Sequence, residues 1–389
     1  MNPRDYLPNS PGRPIRSNLG YWAFIPDPLP PQITWSPGLV TILGEAERVL
    51  ARLAEIGSRF PDPYLMVQPF IRQEAVLSSR VEGIRTSLSE LYTYEALWSS
   101  AIPDAVEVYN YVVAFKYGLE RLNSLPMSLR LMRELHAKLM DGIHTEVVTS
   151  GEFRRSQNWI GPPGSTLETA PYVPPPVNEM HLALDQLEKF IHESTDLPAL
   201  ARLAMIHYQF EAIHPFLDGN GRVGRLLLVL LLCEWKLLPL PLLHLSAYFE
   251  AHRQEYYNRL LWVSQRGEWH NWLEFCLIGV RDQARTAALR VNGLQTLQAC
   301  YYVQLKTERE AERLMQVVDF LIGHPIVTVR QVQAGLGLSD YKIAQRYVQK
   351  LVSAGILREV TGHARNRVYR ADQIMLAISA PLEDVDLQL

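Results

Sequence analysis

Apolar positions recur at three- and four-residue spacing through most of this chain. They predict helices over residues 39–60, 69–98, 106–122, 129–140, 177–191, 197–213 and 223–235, and onward to about 299. Strand-like alternation is absent from these stretches. The opening segment, to about Pro37, is rich in proline and in aromatic residues such as Tyr21, Trp22 and Phe24, and reads as an extended arm packed on the body. One internal segment breaks the helical pattern. Within 153–176 the sequence NWIGPPGSTLETAPYVPPP has two short extended pieces around a Pro/Gly/Ser turn, which predicts a β-hairpin flap on a helical domain.

The character changes again from about Glu308. A helix through 317–321 ends at Gly323, a β-branched run follows at 326–329, and a second helix covers 330–335. Ser339 then reads as the N-cap of a third helix, with Ile343, Tyr347 and Leu351 on one face and a stop at Gly355. Two short extended runs, 357–360 and 367–369, flank TGHARN and complete a winged-helix order. The expected fold class is therefore mainly α, a helical bundle with a short hairpin flap followed by a winged-helix domain. Its expected divisions are 1–105, 106–305 and 308–389.

Composition narrows the function classes. With 389 residues and 48% hydrophobic positions the chain can bury large cores, and its formal net charge of -3 excludes a uniformly basic nucleic-acid coat. The three cysteines, Cys233, Cys276 and Cys300, have no metal-ligand spacing, which fits a reducing, cytoplasmic setting. The N-terminus lacks the apolar core of a signal peptide, and the most apolar run, 226–233, is far shorter than the ~20 residues of a membrane span. No P-loop, Rossmann glycine fingerprint or HExxH motif is present.

The chemistry concentrates in His214-Pro-Phe-Leu-Asp-Gly-Asn-Gly-Arg-Val-Gly-Arg225. Pro215 disfavours helix at His214, and the Asp-Gly-Asn-Gly cluster favours a tight turn that opens a new helix. A glycine-rich turn feeding a helix N-terminus presents backbone N–H groups to an anion. Arg222 and Arg225, at i, i+3, share a face that suits two neighbouring phosphates. Asp218 adds a hard oxygen for Mg²⁺, and His214 stands ready to take a proton from an attacking hydroxyl. Phe216 reads as a core anchor for the loop.

This segment resembles, without departure, the signature of Fic proteins, His-x-Phe-x-(Asp/Glu)-Gly-Asn-Gly-Arg-x-x-Arg. The resemblance implies a Fic helical bundle and transfer of AMP from ATP to a Ser, Thr or Tyr hydroxyl of a target protein. It further implies His214 as the base, Asp218 as the Mg²⁺ ligand, and Asn220 with the Gly219 and Gly221 backbone around the α-phosphate. Arg222 and Arg225 would meet the β- and γ-phosphates, and the flap would bring Trp159, Ile160 and Gly161 beside the transferred group. Tyr256 is a further candidate on the nucleotide side, although its helical spacing equally makes an ordinary helix face. Related proteins with lysine in place of the second motif glycine phosphorylate their targets, and Gly221 argues against that chemistry; UMP or phosphocholine transfer stays open.

Upstream, Ser78-Ser-Arg-Val-Glu82-Gly83 is similar to the inhibitory motif (Ser/Thr)-x-x-x-Glu-(Gly/Asn) of one class of Fic proteins. Placed i, i+4 on a helix, Ser78 and Glu82 would share a face, and Glu82 would pair with Arg225 and deny it to the γ-phosphate. The implied partners are ATP and a target protein, the chain itself included. DNA and a second copy of the chain are further candidates, and a membrane is not. The DNA reading rests on Lys342, Arg346, Lys350, Arg358, Arg365, Arg367 and Arg370 against Glu359; the same segment equally suits protein docking.

Overall fold

The computed structural model describes residues 1–59, 63–97, 103–143, 149–362 and 366–379. The expected helix ends at Phe60 and Trp98, the basic residue Arg365 and the end of the third expected division lie outside them. The chain opens with strands β1 (Gly12–Arg16) and β2 (Trp22–Pro26) and helices α1 (Pro37–Ser58), α2 (Pro63–Val81), α3 (Leu88–Leu97), α4 (Pro103–Arg121) and α5 (Leu129–Leu139). It continues through α6 (Val177–His192), α7 (Ala199–Ile213), α8 (Asn220–Glu234), α9 (Leu245–Ala251), α10 (Arg253–Arg266) and α11 (Trp269–Leu305). The last elements are α12 (Ala311–Gly323), β3 (Ile326–Thr328), α13 (Val329–Gly335), α14 (Tyr341–Ser353), β4 (Arg358–Glu359), β5 (Val368–Arg370) and α15 (Asp372–Ser379).

These elements group into two compact units, neither continuous in sequence. One holds Met1–Leu50, Asn110–Leu237 and Leu245–Gln283; the other holds Ala51–Tyr109, Leu238–His244 and Ala284–Leu389. The boundary expected at 105/106 falls inside α4, and α11 runs unbroken from one unit into the other.

In the first unit α7 is the central helix, with every residue from Leu200 to Ile213 except Arg202 buried. It packs against α6 and α8, and the apolar run of α8, Leu226 through Leu232, is at most 3% exposed, so it is the core helix expected. No helix among the described residues is long and apolar enough to cross a membrane. The N-terminal arm is an antiparallel hairpin, registered Gly12↔Pro26 to Arg16↔Trp22, where the sequence predicted only an extended segment. It is pinned to the body where the Phe24 N–H donates to the Val173 carbonyl at 2.9 Å and the Phe24 ring packs on Tyr6 and Tyr172.

In the second unit α2 packs on α12 and α15, and α3 on β3. The start of α3 is set by a reciprocal pair: Ser87 Oγ accepts from the Glu90 N–H, and the Ser87 N–H donates to Glu90 Oε2 at 2.7 Å. Thr328 and Gln331 build the same device at α13. A buried ion pair, Arg72 Nε to Glu95 Oε2 at 2.8 Å, ties α2 to α3. From α12 to β5 the elements follow the predicted order, and the three strands form an antiparallel sheet ordered β3-β5-β4. Two details differ. Asp340 caps α14, its carboxylate accepting from the Lys342 N–H at 2.8 Å, where Ser339 was expected. The buried face of α14 is Ala344, Tyr347, Val348 and Leu351, with Ile343 only half-buried.

Candidate active site

The motif folds as a turn between two buried helices. Helix α7 ends at Ile213 because the following His-Pro cannot continue it: His214 adopts the left-handed conformation, φ 49 and ψ 62, while its N–H still donates to the Phe210 carbonyl at 3.0 Å. A left-handed histidine needs outside support, and the His214 carbonyl receives it twice. Arg154 Nε donates to it at 3.0 Å and Asn158 Nδ2 at 3.2 Å. Arg154 also donates its own N–H to the Pro215 carbonyl at 2.9 Å, and Asn158 Nδ2 reaches the Phe216 carbonyl at 2.8 Å. Sequence reading missed both residues. The His214 ring lies with Nδ1 3.3 Å from the Glu211 carbonyl. A proton on Nδ1 in that contact places the lone pair of the neutral ring on Nε2.

The loop then turns at Gly219, left-handed with φ 76, where a Cβ would come 3.0 Å from a Leu139 methyl group. Asp218 is half-exposed, and its Oδ1 accepts the Gly219 N–H at 2.6 Å and lies 3.8 Å from an Arg222 nitrogen. Asn220 opens α8, and its side chain closes the loop on itself: Oδ1 accepts from the Phe216 N–H and Nδ2 donates to the Phe216 carbonyl, both at 2.8 Å. The Asn220 amide is thus a loop clamp rather than a group presented outward, and anion contact from this turn falls to the backbone N–H groups at the start of α8. Arg222 and Arg225 are 3% and 1% exposed, so both guanidiniums are held within the helix packing.

Beneath the loop lies His136, which sequence reading also missed. It is fully buried, its ring stacked 3.9 Å from the Phe216 ring at an interplanar angle of 5°. Nδ1 accepts the Gly151 N–H at 2.9 Å, so Nε2 carries the proton and donates to the Asp218 carbonyl at 3.1 Å. Burial pushes its pKa down to about 4, keeping it neutral in this role. Phe216 is the anchor expected, fully buried between His136 and Phe153.

The same stretch of chain is matched by known families. Residues 126–232 match the Fic/DOC family and residues 40–120 the Fic/DOC family N-terminal region. The chain thus carries a Fic/DOC domain over 126–232, preceded by the Fic/DOC N-terminal region over 40–120. Protein adenylyltransferase Fic of Drosophila grimshawi is 30% identical over 159 residues, 39% of this chain and 31% of that protein. The same enzyme of Drosophila yakuba is 29% identical over 39% of this chain and 30% of its own. This chain thus spans about a third of the length of these relatives. A Fic family protein from Desulfovibrio desulfuricans G20 aligns with 88% of this chain and 98% of its own at a TM-score of 0.58 and 20% identity. Fic-1 of C. elegans (residues 134–508) aligns with 67% of this chain and 75% of its own, with a TM-score of 0.51 and 19% identity. These two share the fold.

The flap of this Fic chain is slighter than its sequence suggested. A single antiparallel bridge joins Ile160 to Tyr172, the Ile160 N–H donating to the Tyr172 carbonyl at 2.9 Å. Pro162, Pro163, Pro171 and Pro174 to Pro176 have no N–H to extend the ladder, so two extended pieces never become a hairpin of strands. Trp159 is 42% exposed, Ile160 half-buried and Gly161 exposed, with Ser165 Oγ only 2.6 Å from where a Gly161 Cβ would be. Tyr256 is placed otherwise than a nucleotide contact requires. It is 1% exposed, packed against Phe249 and Trp272, with its hydroxyl 2.9 Å from His207 Nε2, so its helix face belongs to the core.

His207 is also held neutral, its pKa lowered to about 3 by burial and then by the Arg225 charge; in the second unit burial lowers His244 to about 3. Below the ordinary imidazole value of 6.5 an unfolded chain binds protons that these rings refuse. The stability they contribute is therefore complete above pH 6.5 and declines as pH falls toward the folded values. Glu134, depressed to about 2 mainly by the Arg121 hydrogen bond, loses its contribution only below its ordinary 4.5. The melting temperature should accordingly fall between pH 6.5 and 4.5, before carboxylates titrate; a flat melting temperature across that window would contradict the buried-histidine account.

In the second unit the upstream motif departs from a simple helix face. Helix α2 ends at Val81, and Glu82 is exposed in the turn beyond it. Gly83, with φ 95, supplies the left-handed residue, and the Glu82 and Ile84 N–H groups both donate to the Ser79 carbonyl at 3.1 Å. Ser78 is fully buried on the helix and Glu82 lies one residue beyond its end, so the single helix face expected to carry both carries only Ser78.

The basic excess of the C-terminal segment is also offset. Arg346 pairs with Glu310 at 2.7 Å, and Lys350 lies 3.3 Å from Glu310 and 3.5 Å from Glu308. Arg358 and Arg370 both bind Asp372, and Arg367 lies 3.8 Å from Glu359. Three of these four acidic residues fall outside the window in which the basic residues were counted. Five of the seven basic residues that suggested DNA, Arg346, Lys350, Arg358, Arg367 and Arg370, thus have acidic partners, which reduces the local excess.

Proposed function

We propose that this Fic-family chain is a protein adenylyltransferase, moving AMP from ATP onto a Ser, Thr or Tyr hydroxyl of a target protein. The observation that carries the reading is the placement of His214. It is locked in a left-handed turn with Nδ1 on a carbonyl, and the loop after it delivers two arginines and a helix N-terminus within eleven residues. His214 Nε2 takes the proton of the target hydroxyl, whose oxygen forms a bond to the α-phosphorus. The bond from that phosphorus to the bridging oxygen breaks and pyrophosphate leaves. Arg222, Arg225 and the first N–H groups of α8 hold the phosphate charge during transfer.

Asp218 fits a magnesium ion that arrives with the nucleotide. It offers one half-exposed carboxylate beside an arginine, and no group of three acidic, histidine or cysteine ligands occurs among the described residues. Mg²⁺ is ordinarily held by one or two carboxylates plus substrate phosphates. When bound, it would neutralise phosphate charge. Asp218→Asn should therefore raise the Mg²⁺ concentration needed for half-maximal transfer about tenfold; an unchanged Mg²⁺ titration would rule out the ligand role.

Glu82 is proposed as the inhibitory carboxylate, competing with the γ-phosphate for Arg225; the support is the Ser78 to Gly83 motif and its exposed glutamate. The segment from 308 onward is read as a winged-helix docking module for protein, favoured over DNA by its acidic counter-charges. Transfer of label from α-labelled ATP to protein in a cell lysate tests the whole reading. Label that depends on His214 must appear with α-labelled ATP and not with γ-labelled ATP.

A further inference from the structure

Glu211, in the last turn of α7, has no part in the family signature, yet its geometry ties it to the base. It is only 8% exposed. Both of its acceptors face the same ring nitrogen: the carbonyl oxygen lies 3.3 Å from His214 Nδ1 and carboxylate Oε2 lies 3.9 Å from it. The carboxylate is lodged where α7 meets α8, and Gly224 makes room for it. A Cβ at Gly224 would stand 2.3 Å from Glu211 Oε1 and 3.0 Å from the Phe210 ring. Any side chain there would push the carboxylate from its slot. Glycine is a poor helix former, so the slot is kept against local propensity.

We propose that Glu211 is the positioning residue of the base, its carbonyl fixing the tautomer of His214 and its buried carboxylate stabilising the imidazolium formed during transfer. The inference rests on the transferase reading above. The division of labour follows from the two distances. In the resting enzyme the proton on Nδ1 belongs to the carbonyl contact, which leaves Nε2 able to accept. When Nε2 takes the hydroxyl proton the ring becomes positive, and the carboxylate, too far for the resting hydrogen bond, acts through its charge. Arg154 on the His214 carbonyl, and Asp218, Arg222 and Arg225 along the loop and α8, are the other charged groups of this turn.

The test is Glu211→Gln, which keeps shape and backbone while removing the charge. Because the carbonyl still sets the tautomer, the loss is electrostatic alone. It should lower kcat ten- to a hundredfold with the KM for ATP unchanged, a smaller loss than a wrong tautomer brings. The sign of the pH effect is specific. Without the carboxylate the His214 imidazolium is less stable, so the acid limb of the rate profile moves to lower pH. An unchanged kcat overturns the proposal, and so does a reduced kcat with the acid limb unmoved, which marks a packing role. Should the variant not fold, nitrogen NMR of histidine-labelled wild-type enzyme decides: neutral His214 must carry its proton on Nδ1, and an Nε2–H form overturns the assignment. If His214→Ala is itself silent the transferase reading fails; if His214→Ala is inactive while Glu211→Gln runs at full rate, this inference alone fails.

Discussion

Replacing His214 by alanine should lower AMP transfer by about a hundred- to ten-thousandfold, the range a positioned general base contributes, while ATP binding changes little. The separation of effects follows from the geometry. The loop is held by its backbone and by neighbours: Arg154 and Asn158 bind the His214 carbonyl, which alanine retains, and Asn220 clamps the Phe216 backbone. Calorimetric ATP affinity within a few-fold of wild type, together with loss of label transfer, is the expected pair of results. Full transfer by a folded His214→Ala protein would remove the base from the mechanism.

The second large effect has the opposite sign. If Glu82 competes with the γ-phosphate for Arg225, Glu82→Gly frees the guanidinium and activity rises. A charge-assisted contact of ~1.5–3 kcal/mol corresponds to roughly ten- to a hundredfold in rate when fully released. The substitution is structurally mild, because Glu82 is exposed in a turn whose left-handed position belongs to Gly83. Arg225 must be needed for the gain, so the double variant Glu82→Gly, Arg225→Ala should lose the stimulation. Self-modification and target labelling report the rate. No gain in the single variant, or a hyperactive double variant, would leave the upstream motif a structural turn only.

The residues from His214 to Arg225 were legible because their chemistry is contiguous, with turn, helix start and charges in one short run. Their supports were not. His136 reaches Asp218 across 82 positions and Arg154 reaches His214 across 60, and no periodicity announces such contacts. Glu211 and Gly224 looked like helix interior until the two helices were placed together. The arm's hairpin was hidden by Pro14 and Pro26, which mask strand alternation, while prolines in the flap left a bridge where a hairpin was expected. Helix α2 stops at Val81, one residue short of Glu82, and Gly83 turns the chain directly after it. A window drawn at 342 counted the basic residues of α14 without Glu308 and Glu310, their ion-pair partners.

The central claim is the identity of the transferred group, and intact mass of a modified protein reads it directly. Glu82→Gly enzyme, incubated with ATP and Mg²⁺, should add the mass of AMP to itself or to a captured target, and fragmentation should place the adduct on a Ser, Thr or Tyr hydroxyl. An adduct of phosphate alone, or the same adduct from His214→Ala enzyme, would contradict it.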